Sequence, residues 1–507
     1  MKLKLFIFSL LFSVHYLFSQ TSLKAINLDY GDYTVGFRHY TKSDHSRTYT
    51  RLQDWTNRSI SRPIPISIWY PSIKSDKSPL SILNYMEIVK EEEEWEYLPN
   101  EQILNWFEFP NTPKNQEHLK ESAIAILNSQ ALKGKFPVIL YSASLRASSV
   151  ENFGICEYLA SHGYIVIASS ARGTEHRFQE GGTLKDVETQ ARDLEFLIKE
   201  IKTFPSANIE KIATLDYSLG GLAAVLTQMR NDNIKAMVSL DGKSRYDYNT
   251  LMKSPYAKIE NVDVPYLHMA QKIIPEQVLK EDHIDPELNT KFQFYDSLTN
   301  SKAYRLRFHN LSHSQFGTLG LLLKSKDKRQ DKSDLEIMES YKLLSKYTLN
   351  FLNAYLKNDV KALQFIENTP QQNSIKERLI SKQFKKPNLK SFSFQDFNDL
   401  AAKQGYKNLK KIYDSLSLKY PNLQLPEGRL NNLGLQLIFN PKTSSSGISI
   451  FTLATQIYPN SSNLFDSLAE GHLHLGDTKN AIINFEKSLK LNSENQNAIN
   501  RLLELKK

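Results

Sequence analysis

The chain has 507 residues, 40% of them hydrophobic and 11% aromatic, with 19 glycines and 19 prolines, which excludes a largely disordered or fibrous polymer and calls for a domain of roughly 300 residues plus a smaller one. Its formal net charge of +9 arises from scattered Lys and Arg with no dense basic block, which argues against a nucleic-acid partner and for a lysine-rich solvated surface. The single cysteine, Cys156, excludes an internal disulfide and lies far from the N-terminus, where a lipid-bearing thiol would stand.

Residues 1–20 run from two lysines through an apolar stretch, Leu5 to Phe18, to Ser19 and Gln20, the order of a secretory signal. Cleavage near Gln20 or Thr21 and a periplasmic or secreted product are expected. No later apolar stretch has spanning length, so no integral membrane span is expected after signal removal.

Strands are predicted around Val35-Gly36-Phe37-Arg38 and from Pro65 to Pro71. Residues 85–130 then read as a helical insertion carrying Trp95, Trp106, Phe107 and Phe109. Two readings of it stay open: a lid over an apolar substrate, or packing against the domain. From Phe136 strands and helices alternate, with strands at 138–141, 164–168, 211–215, 236–240, 264–269 and 303–308 and helices at about 150–161, 186–203 and 220–230. Parallel neighbours need such crossovers, and nearly continuous apolar strands need cover on both faces, so the fold class is α/β: a mostly parallel sheet between helical layers.

The expected domains are 21–365 for this unit, 366–388 for a Pro-, Gln- and Lys-bearing linker, and 389–507 for an all-α unit. Within the last, Phe465, Leu468, Ala469, Ala481 and Phe485 occupy the first, fourth, fifth, seventeenth and twenty-first places of a 34-residue two-helix pattern, with Gly476-Asp477 as its turn. Leu433-Gly434, Gly447, Phe451, Ala454 and Pro459 repeat it partially, so about two tetratricopeptide-like repeats are expected over 427–494. So short an array must pack on its neighbours or on a protein partner.

Between a strand and a helix stands Leu215-Asp216-Tyr217-Ser218-Leu219-Gly220-Gly221. A serine on such a turn exposes its hydroxyl at the carboxyl edge of the sheet, beside backbone amides that can hold an oxyanion. The hydroxyl is a weak nucleophile and requires a histidine base oriented by an acid. Asp241 ends the next strand; Glu276, Asp282 and Asp285, after the following one, are alternatives. His313 follows the last strand in a loop, with His309 as its competitor. The order Ser218, Asp241, His313 suits acyl transfer. No paired His/Cys spacing, phosphate loop or dinucleotide fingerprint occurs, so neither metal nor cofactor is expected.

Gly36-Phe37-Arg38, the Asp44-to-Arg47 stretch, Ile68-Trp69-Tyr70-Pro71, Phe136-Pro137-Val138, Leu159 to Tyr164, Ser218-Leu219-Gly220-Gly221, Leu240-Asp241 and His313-Ser314-Gln315-Phe316 resemble the platelet-activating factor acetylhydrolase branch of the α/β hydrolases, over roughly residues 30–355. The resemblance implies an α/β-hydrolase fold and a calcium-independent serine esterase or lipase for short or oxidised acyl groups. It implies Ser218, Asp241 and His313 as triad and favours Asp241 over the later acids. Amides of Leu219 and Leu145 are the expected oxyanion donors. Two positions depart from that branch: Asp216 replaces a glycine, and Ser142-Ala143-Ser144-Leu145-Arg146 replaces a glycine-bearing oxyanion loop. The expected partner is therefore a small-molecule or lipid ester; a catalytically silent binding protein and an amidase or peptidase are the alternatives.

Overall fold

Ten strands of one sheet carry the first unit: β1 (Thr34–Tyr49), β2 (Ile60–Ser72), β3 (Ile126–Leu127), β4 (Phe136–Ser142), β5 (Ile165–Ser169), β6 (Ala207–Tyr217), β7 (Ile234–Leu240), β8 (Tyr266–Ala270), β9 (Ala303–Phe308) and β10 (Ile380–Lys385). The computed structural model describes residues 21–323, 329–388, 392–420 and 423–506; the signal expected over 1–20 lies outside them. The chain divides into two compact units, 1–388 and 389–507.

The strand order is β10-β9-β8-β7-β6-β4-β5-β2-β1-β3. From β5 to β9 neighbours run parallel, as the helical crossovers require, while β2 joins β5 antiparallel and β10 joins β9 antiparallel. Successive side chains enter opposite cores: Val138 and Leu140 of β4 join one hydrophobic cluster, Ile139 and Tyr141 the other. Helices Leu184–Ile201 and Gly220–Arg230 cover the first face, Phe153–Ser161 and Asp334–Leu356 the second. At the carboxyl ends of the strands the first face turns polar. Ser142, Asp216, Ser239, His268 and Arg305 are register neighbours across five strands.

The insertion is mixed. Helices Ile82–Glu92, Ile103–Trp106 and Pro113–Leu119 precede the two-residue β3, which pairs with β1. Tyr85, Met86, Val89, Ile103 and Leu104 are buried in the main core, and Trp69 Nε1–H donates to Tyr85 Oη, which donates to Glu157. Most of the insertion is thus core packing.

The linker expected over 366–388 is corrected. Residues 380–385 form β10, paired with the whole of β9, so this stretch belongs to the sheet. Its Lys and Gln residues are those of an exposed edge strand, and their polarity reads in sequence like a connector.

The second unit is helical, with Phe394–Lys403, Leu409–Lys419, Glu427–Ile438, Ser444–Ile457, Ser462–His474, Thr478–Leu491 and Gln496–Leu505 among the described residues. Small residues set its close contacts. A Cβ on Gly434 would stand 2.4 Å from the Phe451 ring, and Ala469, Ala481, Phe485 and Ala498 form one buried cluster. Gly476 takes φ 79° at a helix–helix turn, and Asp477 caps the helix that follows.

Candidate active site

β6 ends at Tyr217 and the helix beginning at Gly220 starts almost at once, which forces Ser218 into the left-handed region at φ 53°. A non-glycine residue adopts that conformation only where the surroundings enforce it. Here Ser218 N–H donates to Leu240 O at 3.3 Å, and Ser218 O accepts from Gly221 N–H at 3.1 Å and Lys243 N–H at 2.7 Å. Gly220 permits the close approach of the helix to β4, because a Cβ there would lie 2.2 Å from Ser142 O.

Ser218, His313 and Asp241 form one hydrogen-bonded line. His313 Nε2 lies 3.0 Å from Ser218 Oγ, and His313 Nδ1 lies 2.6 Å from Asp241 Oδ2. Asp241 is wholly buried at the end of β7, and its other oxygen accepts the Gln271 N–H at 3.1 Å. Burial opposes its charge, but Arg245, the His313 hydrogen bond and the Gln271 amide outweigh it and hold the carboxyl well below the usual carboxylate range. His313 is fixed from behind: its N–H donates to Gln271 Oε1 at 3.1 Å, and Tyr217 Oη donates to its carbonyl at 2.9 Å. The competitors take other roles. Glu276 pairs with Lys280, Asp285 caps a turn and pairs with Lys291, and the His309 N–H joins Leu379 O.

The loop after β4 is ordered by Glu151. Tyr141 Oη donates to it at 2.9 Å, Ser144 N–H at 2.7 Å and Ser144 Oγ at 2.6 Å. Burial pushes the Glu151 carboxyl up to about 7 against those donors. Arg146 takes φ 57° and donates its N–H to Gln179 Oε1 at 2.7 Å. Within this framework the N–H groups of Leu145 and Leu219 have no acceptor among the described residues.

Asp216 does not crowd Ser218. Its carboxyl is buried under the helix Gly220–Arg230 and accepts Ser239 Oγ at 2.7 Å. The room comes from two glycines: a Cβ on Gly221 would stand 2.9 Å from Asp216 Oδ1, and one on Gly242 2.6 Å. Burial pushes the carboxyl up to about 7, with the Ser239 hydrogen bond opposing.

A cavity of about 350 Å³ is lined by Tyr217 and Ser314, the chain neighbours of Ser218 and His313, with Val89, Phe107, Phe109 and Leu319 as its apolar wall and Glu93, Ser144, Arg146 and Glu151 among its polar lining. Phe107 and Phe109 come from the insertion, so that segment both packs on the core and walls the cavity. Trp95 and Trp106 instead pair edge-on, centroids 4.5 Å apart, and Arg177 lies over Trp95. Among the described residues no group of three His, Cys, Asp or Glu is placed to hold a metal ion, and no helix is long and apolar enough to cross a membrane.

Four residues escaped the sequence reading: Glu151, Arg245, Gln271 and Tyr217. Only Tyr217, beside the serine, and Arg245, four residues after Asp241, carried a positional hint.

A serine elbow at the carboxyl edge of a doubly covered, mostly parallel sheet, with an acid and a histidine after later strands, defines the α/β-hydrolase fold. In agreement, the family model described as "Dienelactone hydrolase family" matches residues 123–295, a stretch that holds Ser218 and Asp241 and ends before His313. Among solved structures, one similar to this chain is a ferulic acid esterase from Streptomyces cinnamoneus, 16% identical, with a TM-score of 0.46, covering 69% of this chain and 96% of that one. No curated protein matches the chain.

Proposed function

We propose that the protein is a serine hydrolase of carboxylic esters acting through an acyl-enzyme. The observation that carries this reading is the hydrogen-bonded line from Ser218 Oγ through both His313 nitrogens to Asp241, built on an elbow serine at φ 53°. Ser218 Oγ attacks the ester carbonyl while His313 Nε2 takes its proton; Nδ1–H keeps its hydrogen bond to Asp241, whose ionised carboxylate stabilises the imidazolium. The free amides of Leu219 and Leu145 receive the oxyanion. His313 then returns the proton to the leaving alkoxide, and water, deprotonated by the same nitrogen, releases the acid.

The 350 Å³ cavity, with an apolar wall of Val89, Phe107, Phe109 and Leu319, supports short or compact acyl groups, in line with the resemblance to the platelet-activating factor acetylhydrolases. The same atoms would open an amide, and comparing matched ester and amide substrates separates the two. Asp216 is the motive for a catalytically silent reading, but its burial beneath the helix, away from the serine line, favours the active one. Export through residues 1–20, and a protein partner for tetratricopeptide-like helices at 427–494, complete the proposal.

The test is fluorophosphonate labelling of the purified mature protein with mass mapping of the modified peptide. Labelling at Ser218 that vanishes in His313→Ala supports the reading; folded protein that takes no label refutes it.

A further inference from the structure

Behind Asp241 lies a cluster of cations with too few anions. Arg245 is 1% exposed, and its Nε, Nη1 and Nη2 have no hydrogen-bond partner among the described residues; nor does the buried Nε2 of His268. A buried guanidinium without acceptors is strongly disfavoured, so this is a position where the fold tolerates a cost or meets a ligand. Two more guanidiniums share its neighbour Phe292 and feel its charge. The Cζ atoms of Arg305, Arg245 and Arg307 lie 3.9, 5.3 and 5.4 Å from the centre of the Phe292 ring.

Charge and size define what fits. Arg307 donates to the carbonyls of Gln271 and Asn289, which satisfy hydrogen bonds without neutralising it. Two carboxylates reach the cluster: Asp241, whose Oδ1 is 3.8 Å from Arg245 Nη1, and Asp296, which acts on Arg305. His268 is neutral, because burial and Arg245 drive its pKa down to about 3. In the tautomer in which Tyr266 Oη donates to His268 Nδ1 over 2.8 Å, Nε2 carries the proton and is a fourth donor. Three positive charges against two negative leave one unmatched, and every unpartnered nitrogen then presents a donor.

We propose that Arg245, Arg305, Arg307 and His268 form a binding site for one small monovalent inorganic anion of the halide type. Tyr246 and Phe292 wall Arg245 closely, which disfavours a bulky organic acid, and a divalent anion would overcompensate the charge beside Asp241. Arg305 and Arg307 are only partly buried and offer the route from solvent. The site is coupled to the serine line through Gln271, whose carbonyl accepts from Arg307 while its N–H holds Asp241 and its Oε1 holds the His313 N–H. The proposal does not depend on the hydrolase reading, and its test does not use activity.

The experiment is thermal unfolding of the full mature chain in sodium gluconate, with bromide substituted at constant ionic strength, together with bromine anomalous scattering from bromide-containing crystals. A saturable rise of about 2–4 °C is expected, absent in Arg305→Gln, whose partly exposed side chain can be replaced without emptying the core. Arg245→Gln should abolish the response too, but Arg305→Gln carries the test if the former does not fold. An unmoved melting temperature, a rise linear in salt and equal in Arg305→Gln, or bromine density only elsewhere overturns the proposal.

Discussion

Asp216 and Gly242 compete for one space: a Cβ on Gly242 would stand 2.6 Å from Asp216 Oδ1 and 2.2 Å from Ser239 Oγ. Gly242→Ala should therefore destabilise the protein by about 1–3 kcal/mol, and Asp216→Gly in the same chain should recover part of that loss. Denaturant unfolding of the two single variants and the double variant measures the coupling; strict additivity contradicts the shared-space account.

The same carboxyl gives stability a pH dependence. Its folded value, about 7, lies above the 3.8 of an ordinary aspartate, so the folded state holds the proton more tightly than the unfolded chain. That contribution is fully present below about pH 4 and is lost as pH rises through 7. Asp216→Asn removes the slope. The difference between variant and wild-type unfolding free energies should grow in the variant's favour by on the order of a few kcal/mol between pH 4 and pH 8, and a flat difference contradicts the assignment.

Asp241→Asn should leave the fold intact and lower kcat/KM on an aryl ester by about 10³–10⁴, because the amide cannot stabilise the imidazolium and permits the wrong tautomer. Steady-state kinetics over pH 5–9 check this. A loss confined to KM would place Asp241 outside the chemistry.

Phe107 and Phe109 line the cavity, which Ser218, Asp241 and His313 do not. Replacing both with alanine should shift preference along a series of p-nitrophenyl esters towards longer acyl groups, with KM for the short esters rising about 3–10-fold and kcat changing little. Unchanged chain-length preference would locate the acyl group elsewhere.

Arg62 is fully buried, donating to Asp193 through Nε at 3.1 Å and Nη2 at 2.7 Å, and Arg47 meets the same carboxylate at 2.6 Å. Arg62→Ala leaves buried Asp193 to Arg47 alone, takes the donor from the carbonyls of Arg172, Gly173 and Thr174, and should cost about 3–5 kcal/mol, read by urea unfolding. Arg62→Met with Asp193→Leu should cost less than the single change.

The sequence was most legible where local rules and chain order coincide. Val138–Tyr141 and Ile165–Ala168 are apolar on both faces because both faces are covered, and the Ser218 turn announces itself by sitting between such a strand and Gly220-Gly221. Asp241 could be singled out because it directly follows a strand, and His313 because it stands in the loop after Ala303–Phe308. What stayed hidden depends on contacts between distant residues: Glu151 reaching the Ser144 loop, Gln271 bridging Asp241 and His313, and the glycines that make room for Asp216. β10 was misread because Ile380-Ser-Lys-Gln-Phe-Lys385 pairs with a partner more than 70 residues earlier and shows one side to solvent.

That strand decides where the chain can be divided. Phe384 stacks on Tyr304 with centroids 4.8 Å apart, so a truncation at residue 365 would strip both the hydrogen-bonding partner and the aromatic cover from β9. The bared ribbon would be a template for the same strand of another copy, and an intended minimal enzyme would emerge as a self-associating fragment. A division after residue 388 keeps the seam closed.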